Sequence, residues 1–181
     1  MAIDPEVGIS KETIYEGKLF TVYKEMVRLP DGNVRPREIV QHPGAVALVV
    51  VDDQDRFVLA RQYRRATGGV LLEIPAGTRE KGEDAETCAK REVREETGMA
   101  ARKVERLGGF FSAPGFCTEF LDLFLMTDLV DDPSQADDDE NIELEHLSAS
   151  EALQAIANGE IRDAKSICGI LLYLQRKQGK E

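Results

Sequence analysis

Cysteine, histidine, positive charge and long apolar runs are all scarce in this chain, and each scarcity excludes something. Only three of the 181 residues are cysteine, at positions 88, 117 and 168. Their odd number, wide spacing and lack of a C-x-x-C pair exclude a disulfide framework or zinc ribbon and fit a reducing cytoplasm. They read as small core fillers. The two histidines, His42 and His146, stand in no metal-ligand spacing and read as structural. The longest apolar run, Ala45 to Val51, is too short to cross a bilayer. The opening MAIDPEVGIS has neither the basic nor the apolar region of a secretory signal. A cytoplasmic protein without membrane attachment is the expectation. Lysine and arginine number 23 against 34 aspartates and glutamates, a formal net charge of −11. So acidic a surface repels polyanions and argues against nucleic-acid binding, though not against a small phosphate ligand met by locally concentrated cations.

What is present reads as alternating strands and helices. Residues 18–29 (KLFTVYKEMVRL) and 34–40 (VRPREIV) flank the turn PDGN and predict a hairpin, with Pro36 marking its second strand as an edge. HPG at 42–44 punctuates the chain. Residues 1–43 are therefore assigned to a small N-terminal antiparallel β subdomain and 44–181 to the main domain. AVALVVVD, 45–52, is apolar on both faces and predicts a central strand. RFVLARQYR, LLEIPAG, KVERLGGFFS, EFLDLFLMTDL and NIELEHL read as further strands, and residues 84–97 as a helix. Two helices follow. One opens at Ser148 with Glu151 as a capping box; the other, over 163–177, carries Ile167, Ile170, Leu171 and Leu174 as its apolar stripe. This order predicts an α/β fold whose sheet is covered on both faces. VDDPSQADDDEN, 130–141, reads as an acidic loop.

The stretch REVREETG, 91–98, places Glu92, Glu95 and Glu96 in the last turns of the first helix. The helix macrodipole and mutual repulsion both disfavour carboxylates there. On a helical wheel the three share the side of Ala85, Cys88 and Ala89, while Thr87, Lys90 and Arg94 lie opposite. A merely solvated acidic face would show the reverse. The carboxylates therefore line a cleft between helix and sheet, and hard oxygens without histidine or thiolate suit Mg²⁺ or Mn²⁺ better than zinc. The Ala76 carbonyl at the end of LLEIPAG is a further candidate oxygen. Arg91, four residues before Glu95, is spaced to orient that carboxylate.

Gly77, then Glu83, then Arg91-Glu92-Val93-Arg94-Glu95-Glu96-Thr97-Gly98-Met99 match G-x5-E-x7-R-E-U-x-E-E-x-G-U, with U a bulky aliphatic. That is the complete Nudix box, and the chain resembles the Nudix hydrolases over nearly its whole length. REIV before HPGAVA, RQYR, LLEIPAG, SAPGF and Pro114, placed 15 residues after Met99, resemble the ADP-ribose pyrophosphatase branch. CTE at 117–119 departs from the T-D-E or S-D-E of many relatives and leaves the sugar specificity open.

The resemblance implies a Nudix-type α/β/α sandwich with a mixed sheet, and a homodimer in which the N-terminal β subdomain packs across or is exchanged at the interface. It implies Mg²⁺, with Mn²⁺ as a substitute, held by the Ala76 carbonyl, Glu92 and Glu96, with Glu95 and Glu83 completing the cluster. Arg64 is implied to grip the diphosphate, Arg37 and Glu38 to lie near the nucleotide base, and Gly115, Phe116 and Glu119 near the terminal sugar. Tyr63 and Phe116 read as packing groups rather than base-stacking ones; Arg61 and Arg65 flank Arg64, and one of the three is expected to face phosphate and the others solvent. A general base is also needed. Glu140, in the acidic loop, is the first choice, followed by Glu95 and then Glu119.

The implied reaction is hydrolysis of ADP-ribose to AMP and ribose 5-phosphate. The alternative is a broader nucleoside diphosphate sugar pyrophosphatase, taking for example GDP-mannose. A nucleoside triphosphate sanitiser is disfavoured by SAPGF and the leading hairpin. A non-catalytic ADP-ribose sensor is disfavoured by the intact box glutamates.

Overall fold

The computed structural model of the chain describes residues 3–132 and 141–179. The chain divides into two compact units, one comprising residues up to Gly44 with Phe111–Phe120, the other Ala45–Phe110 with the chain from Leu121 onward.

The first unit holds a three-stranded antiparallel sheet in the order β1 (Val7–Glu16), β2 (Thr21–Arg28), β3 (Val34–Gln41). The hairpin β2–β3 is the expected one. Its turn is closed by Leu29 N–H donating to Asn33 O at 2.8 Å, and Gly32, at φ 85°, supplies the left-handed residue. Met26 faces Pro36 across the pair, and β3 is an edge strand, where a residue without an N–H is tolerated. β1 was not anticipated. All ten of its residues are exposed, so no buried face impressed an apolar alternation on its sequence.

The second unit is built on a mixed sheet in the order β10-β5-β4-β9-β8: β4 (Ala45–Val51), β5 (Phe57–Arg64), β8 (Met99–Phe111), β9 (Phe120–Asp131) and β10 (Ile142–Leu147). Short β6 (Gly69–Glu73) pairs with β5, and β7 (Ala76–Thr78) with β4. β4 is the fully buried central strand expected, antiparallel to β5 and parallel to β9. Its alternate residues feed two cores. Ala45, Ala47, Val49 and Val51 join one with residues of the C-terminal helices α2 (Ala149–Ala157) and α3 (Ala164–Gln178). Val46, Leu48 and Val50 join the other with Cys88, Ala89 and Val93 of α1 (Ala85–Thr97). Each fully buried aliphatic side chain contributes about 1.5–3 kcal/mol, so this one strand fixes both layers of the α/β/α arrangement.

Local signals set the helix ends. Asp84 caps α1 by accepting from the N–H groups of Glu86 and Thr87, and Gly98, at φ 68°, closes it by donating to Arg94 O. The Ser148–Glu151 capping box at α2 is formed. The stripe expected on α3 needs correction at Leu171, which is 45% exposed. Ser166, Gly169 and Ile170 form the buried face instead, with Ile167, Tyr173 and Leu174 packed beside them. The shift has a steric cause. A Cβ at Gly169 would stand 2.9 Å from Ile74 Cδ1 and 3.0 Å from Val49 Cγ2, so α3 settles on the sheet along the line where it has no side chain.

Candidate active site

β7 lies beside the start of β4, with Ala76 opposite Ala47 and Thr78 opposite Ala45, and the Leu48 N–H donates to Pro75 O at 2.8 Å. α1 packs against both strands. The wheel reading holds for Glu92 and Glu96, which are buried with Cys88 and Ala89 at 9% and 8% exposure while Lys90 and Arg94 face outward; Glu95 is only half-buried. Two backbone features fix these acids. Glu96 Oε2 accepts from the Ala76 N–H at 3.3 Å. Glu92 lies over Gly77 so closely that a Cβ there would fall 1.8 Å from its Cδ.

Arg91 gathers the cluster. Its Nε and Nη2 donate to the two oxygens of Glu83 at 3.1 and 3.0 Å, and its Nη1 donates to Glu92 Oε1 at 2.7 Å and Glu95 Oε2 at 2.8 Å. One guanidinium thus holds three carboxylates, where the spacing alone had suggested one. The hydrogen bonds from Arg91 bring the Glu83 carboxyl down to about 2, and the same contacts, that to Glu83 foremost, hold Arg91 firmly protonated. Burial, followed by the charges of Glu83 and Glu92, pushes the Cys88 thiol up to about 12, which makes it the core filler expected.

Among the described residues, no three His, Cys, Asp or Glu side chains converge as a ready-made metal site. The donors nonetheless fit a hard divalent cation. They are all oxygens, the neighbouring thiol is protonated, and the bare Gly77 leaves room for the Glu92 carboxylate that a Cβ would occupy.

Arg64, at the end of β5, donates through Nε to Glu73 Oε1. Glu73 is buried at 3% exposure and takes Lys165 of α3 on its other oxygen. Of its neighbours Arg65 is exposed, whereas Arg61 pairs with Glu145 at 2.5 Å and with Glu160. Tyr63, read as a packing group, is 52% exposed.

In the first unit Arg37, Glu38, Gly115 and Phe116 line one cavity of about 410 Å³. The loop reaches β3 because Val40 donates to Phe116 O at 2.8 Å and accepts from the Thr118 N–H at 2.9 Å. Phe116, also read as packing, is 57% exposed. Arg37 donates through Nε to Glu6 Oε2 at 3.0 Å and through Nη2 to Glu6 Oε1. Glu119 is not part of this lining; it stands 3.6 Å from His42 Nδ1. Glu140 lies outside the described residues.

Sequence reading missed Glu6, Glu73 and Lys165. A signal existed for Glu73, the lone charge within the apolar LLEIP; Lys165 and Glu6 carried none.

Buried carboxylates at a helix–sheet junction, gathered by one arginine, offer hard oxygens of the kind with which hydrolases of phosphate anhydrides hold divalent metals. The NUDIX domain matches residues 40–168, and the chain belongs to the Nudix family. It is a hydrolase of diphosphate bonds, and enzymes of this kind generally work with divalent metals. The chain is 39% identical to the ADP-ribose pyrophosphatase of Bacillus subtilis (strain 168), over 96% of this chain and 94% of that one. It is 38% identical to the methanol dehydrogenase activator of Bacillus methanolicus, with the same coverage. It is 34% identical to the GDP-mannose pyrophosphatase of Cronobacter sakazakii (strain ATCC BAA-894), over 76% and 80%. A solved structure of an ADP compounds hydrolase superposes with a TM-score of 0.88 over 99% of this chain and 98% of that one, at 21% identity, and shares the fold.

Proposed function

We propose that this chain hydrolyses ADP-ribose to AMP and ribose 5-phosphate with Mg²⁺, for which Mn²⁺ can substitute. The observation that carries the reading is the Arg91-clasped cluster of Glu83, Glu92 and Glu95 over Gly77, with Glu96 on the Ala76 N–H. Glu92, Glu96 and the Ala76 carbonyl hold the metal, and Glu95 and Glu83 complete its surroundings. When bound, the metal neutralises phosphoryl oxygens and acidifies a water. Arg64 donates to the diphosphate through the guanidinium edge that Glu73 leaves free. Glu140 takes the proton of the attacking water, Glu95 and then Glu119 standing next as candidates. Arg37 and Glu38 meet the base end of the substrate, and Gly115 and Phe116 the sugar end.

The protein acts in the cytoplasm as a homodimer. Residues 1–43 form the pairing subdomain, a role supported by the wholly exposed β1 with Val7, Ile9, Ile14 and Tyr15 outward. No helix among the described residues is long and apolar enough to cross a membrane.

The test is parallel incubation with Mg²⁺ and ADP-ribose, GDP-mannose, UDP-glucose or dGTP, with ion-exchange separation of products. Dominant release of AMP from ADP-ribose supports the reading. Equal or faster cleavage of GDP-mannose favours the broader pyrophosphatase suggested by the similarity to a GDP-mannose pyrophosphatase. No turnover of any of them sinks both. Glu140→Gln is expected to lower kcat more than about tenfold with little change in KM; an unchanged kcat moves the base to Glu95 or Glu119. Light scattering reads the dimer, and a monomer at working concentration would contradict it.

A further inference from the structure

The first turn of α3 is fastened to the strand segment that leads into the site. Lys165 Nζ pairs with Glu73 Oε2, and Ser166 Oγ accepts from the Ile74 N–H at 2.8 Å, so two adjacent helix residues hold the last residue of β6 and the one that follows it. Asp163 fixes the geometry of that turn. Its Oδ1 accepts from the Ser166 N–H at 3.1 Å and from Lys165 Nζ at 3.0 Å. Gly169, one turn further on, is what lets the helix lie this close to Ile74. Three residues after Glu73 comes Ala76.

Glu73 is the puzzle in this arrangement. A carboxylate at 3% exposure is costly to bury, and a well-packed apolar residue serves stability as well or better. Its two oxygens are divided between two cations on different elements: Oε1 takes Arg64 Nε, and Oε2 takes Lys165. Arg64, Lys165, Glu73 and Asp163 together are neutral. Lys165 is 15% exposed, but the Arg64 side chain is 36% exposed and engages Glu73 through Nε, with no hydrogen bond from its terminal nitrogens among the described residues. The buried half of the network balances charge, and the exposed half presents donors.

We infer that Lys165 is a positioning residue for the diphosphate: by occupying one oxygen of Glu73 it restricts Arg64 to the other and holds the guanidinium with its terminal N–H groups outward. This rests on the reading of Arg64 as the diphosphate donor. Without Lys165, Glu73 has both oxygens for Arg64 alone, and the guanidinium turns inward to a bidentate pair. Substrate binding then weakens although no residue touching substrate has changed. The C-terminal helix thus belongs to the substrate machinery through a side chain 92 residues from its partner.

The test is a double-mutant cycle on the full chain, with KM and kcat measured for ADP-ribose, or for GDP-mannose if the unaltered protein prefers it. Lys165→Met, which keeps the aliphatic stem, is expected to lower kcat/KM about tenfold through KM. Lys165→Arg is expected to restore most of the loss. A defect that merely reduced the folded fraction would lower apparent kcat and leave KM alone, and circular dichroism at the assay temperature checks the fold. In the Arg64→Gln background, Lys165→Met is expected to add nothing. Full additivity there, or an unchanged KM in Lys165→Met, overturns the inference while Arg64 keeps its role. An unchanged KM in Arg64→Gln overturns both.

Discussion

Gly77 lies directly beneath the carboxylate of Glu92: a Cβ at Gly77 would stand 1.8 Å from Cδ and 1.9 and 2.2 Å from the two oxygens. Something must move in Gly77→Ala, and the mobile partner is the end of a glutamate side chain rather than backbone. The cost therefore falls on the cluster and not on the fold. Activity is expected to fall about 10- to 100-fold with the melting temperature little changed. A variant of full activity would show that Glu92 is not needed where it stands.

Glu96 tests the same cluster from the other side. It is buried at 8% exposure and bonded to the Ala76 N–H. Glu96→Gln preserves size and that acceptor but removes the charge. Metal-dependent turnover is expected to vanish while the circular dichroism spectrum stays as it was. Near-normal kcat in the variant would sink its assignment as a metal ligand.

Arg91 substitutes for a cation among Glu83, Glu92 and Glu95, with contacts of 2.7–3.0 Å. Arg91→Gln leaves the three carboxylates facing one another, a loss of roughly 2–3 kcal/mol and a fall of about 5–10 °C in melting temperature. A cation bound among them offsets that repulsion by linkage. Thermal melts with and without saturating Mg²⁺ are expected to show a larger upward shift in the variant than in the unaltered chain. Equal shifts would place the metal away from this cluster.

The sequence was most legible where one local rule decided the outcome. Ala45–Val51 had to be central because it is apolar at every position, and Ser148 had to open α2 because it and Glu151 satisfy each other's backbone N–H groups as a capping box. The common face of Glu92 and Glu96 followed from helical periodicity. Legibility ended where the deciding partner was distant or where nothing was buried. β1 has no core face to pattern it. Leu171 looked like core but yields to Gly169, whose importance depends on Ile74 and Val49 across the layer. The Glu73–Lys165 pair spans 92 residues, and neither residue names the other. Arg91 shows the boundary well: its spacing to Glu95 was readable, whereas its grip on Glu83 depends on how the loop before α1 folds back.

Away from the carboxylate cluster, pH acts on stability through Asp52. Asp52, in the turn between β4 and β5, accepts from the N–H groups of Gln54 and Arg56 and from Arg56 Nε, and His146 Nδ1 stands 2.9 Å from its Oδ2. Burial alone would raise its pKa, but these hydrogen bonds outweigh it and hold the group at about 2 against an ordinary 3.8. Because the folded pKa is the lower one, the stabilisation is complete above 3.8 and is lost as pH falls toward 2. The difference corresponds to roughly 2 kcal/mol, since the side chain is only 10% exposed. Asp52→Asn keeps an acceptor but forfeits the charge, so at neutral pH it is expected to melt several degrees lower. Urea unfolding of both proteins as a function of pH gives the check. The stability gap is expected to be constant down to about pH 5 and to narrow through the acid limb. A gap that persists unchanged at the lowest pH where both fold would mean that the charge of Asp52 contributes nothing, and that the turn is held by its geometry alone.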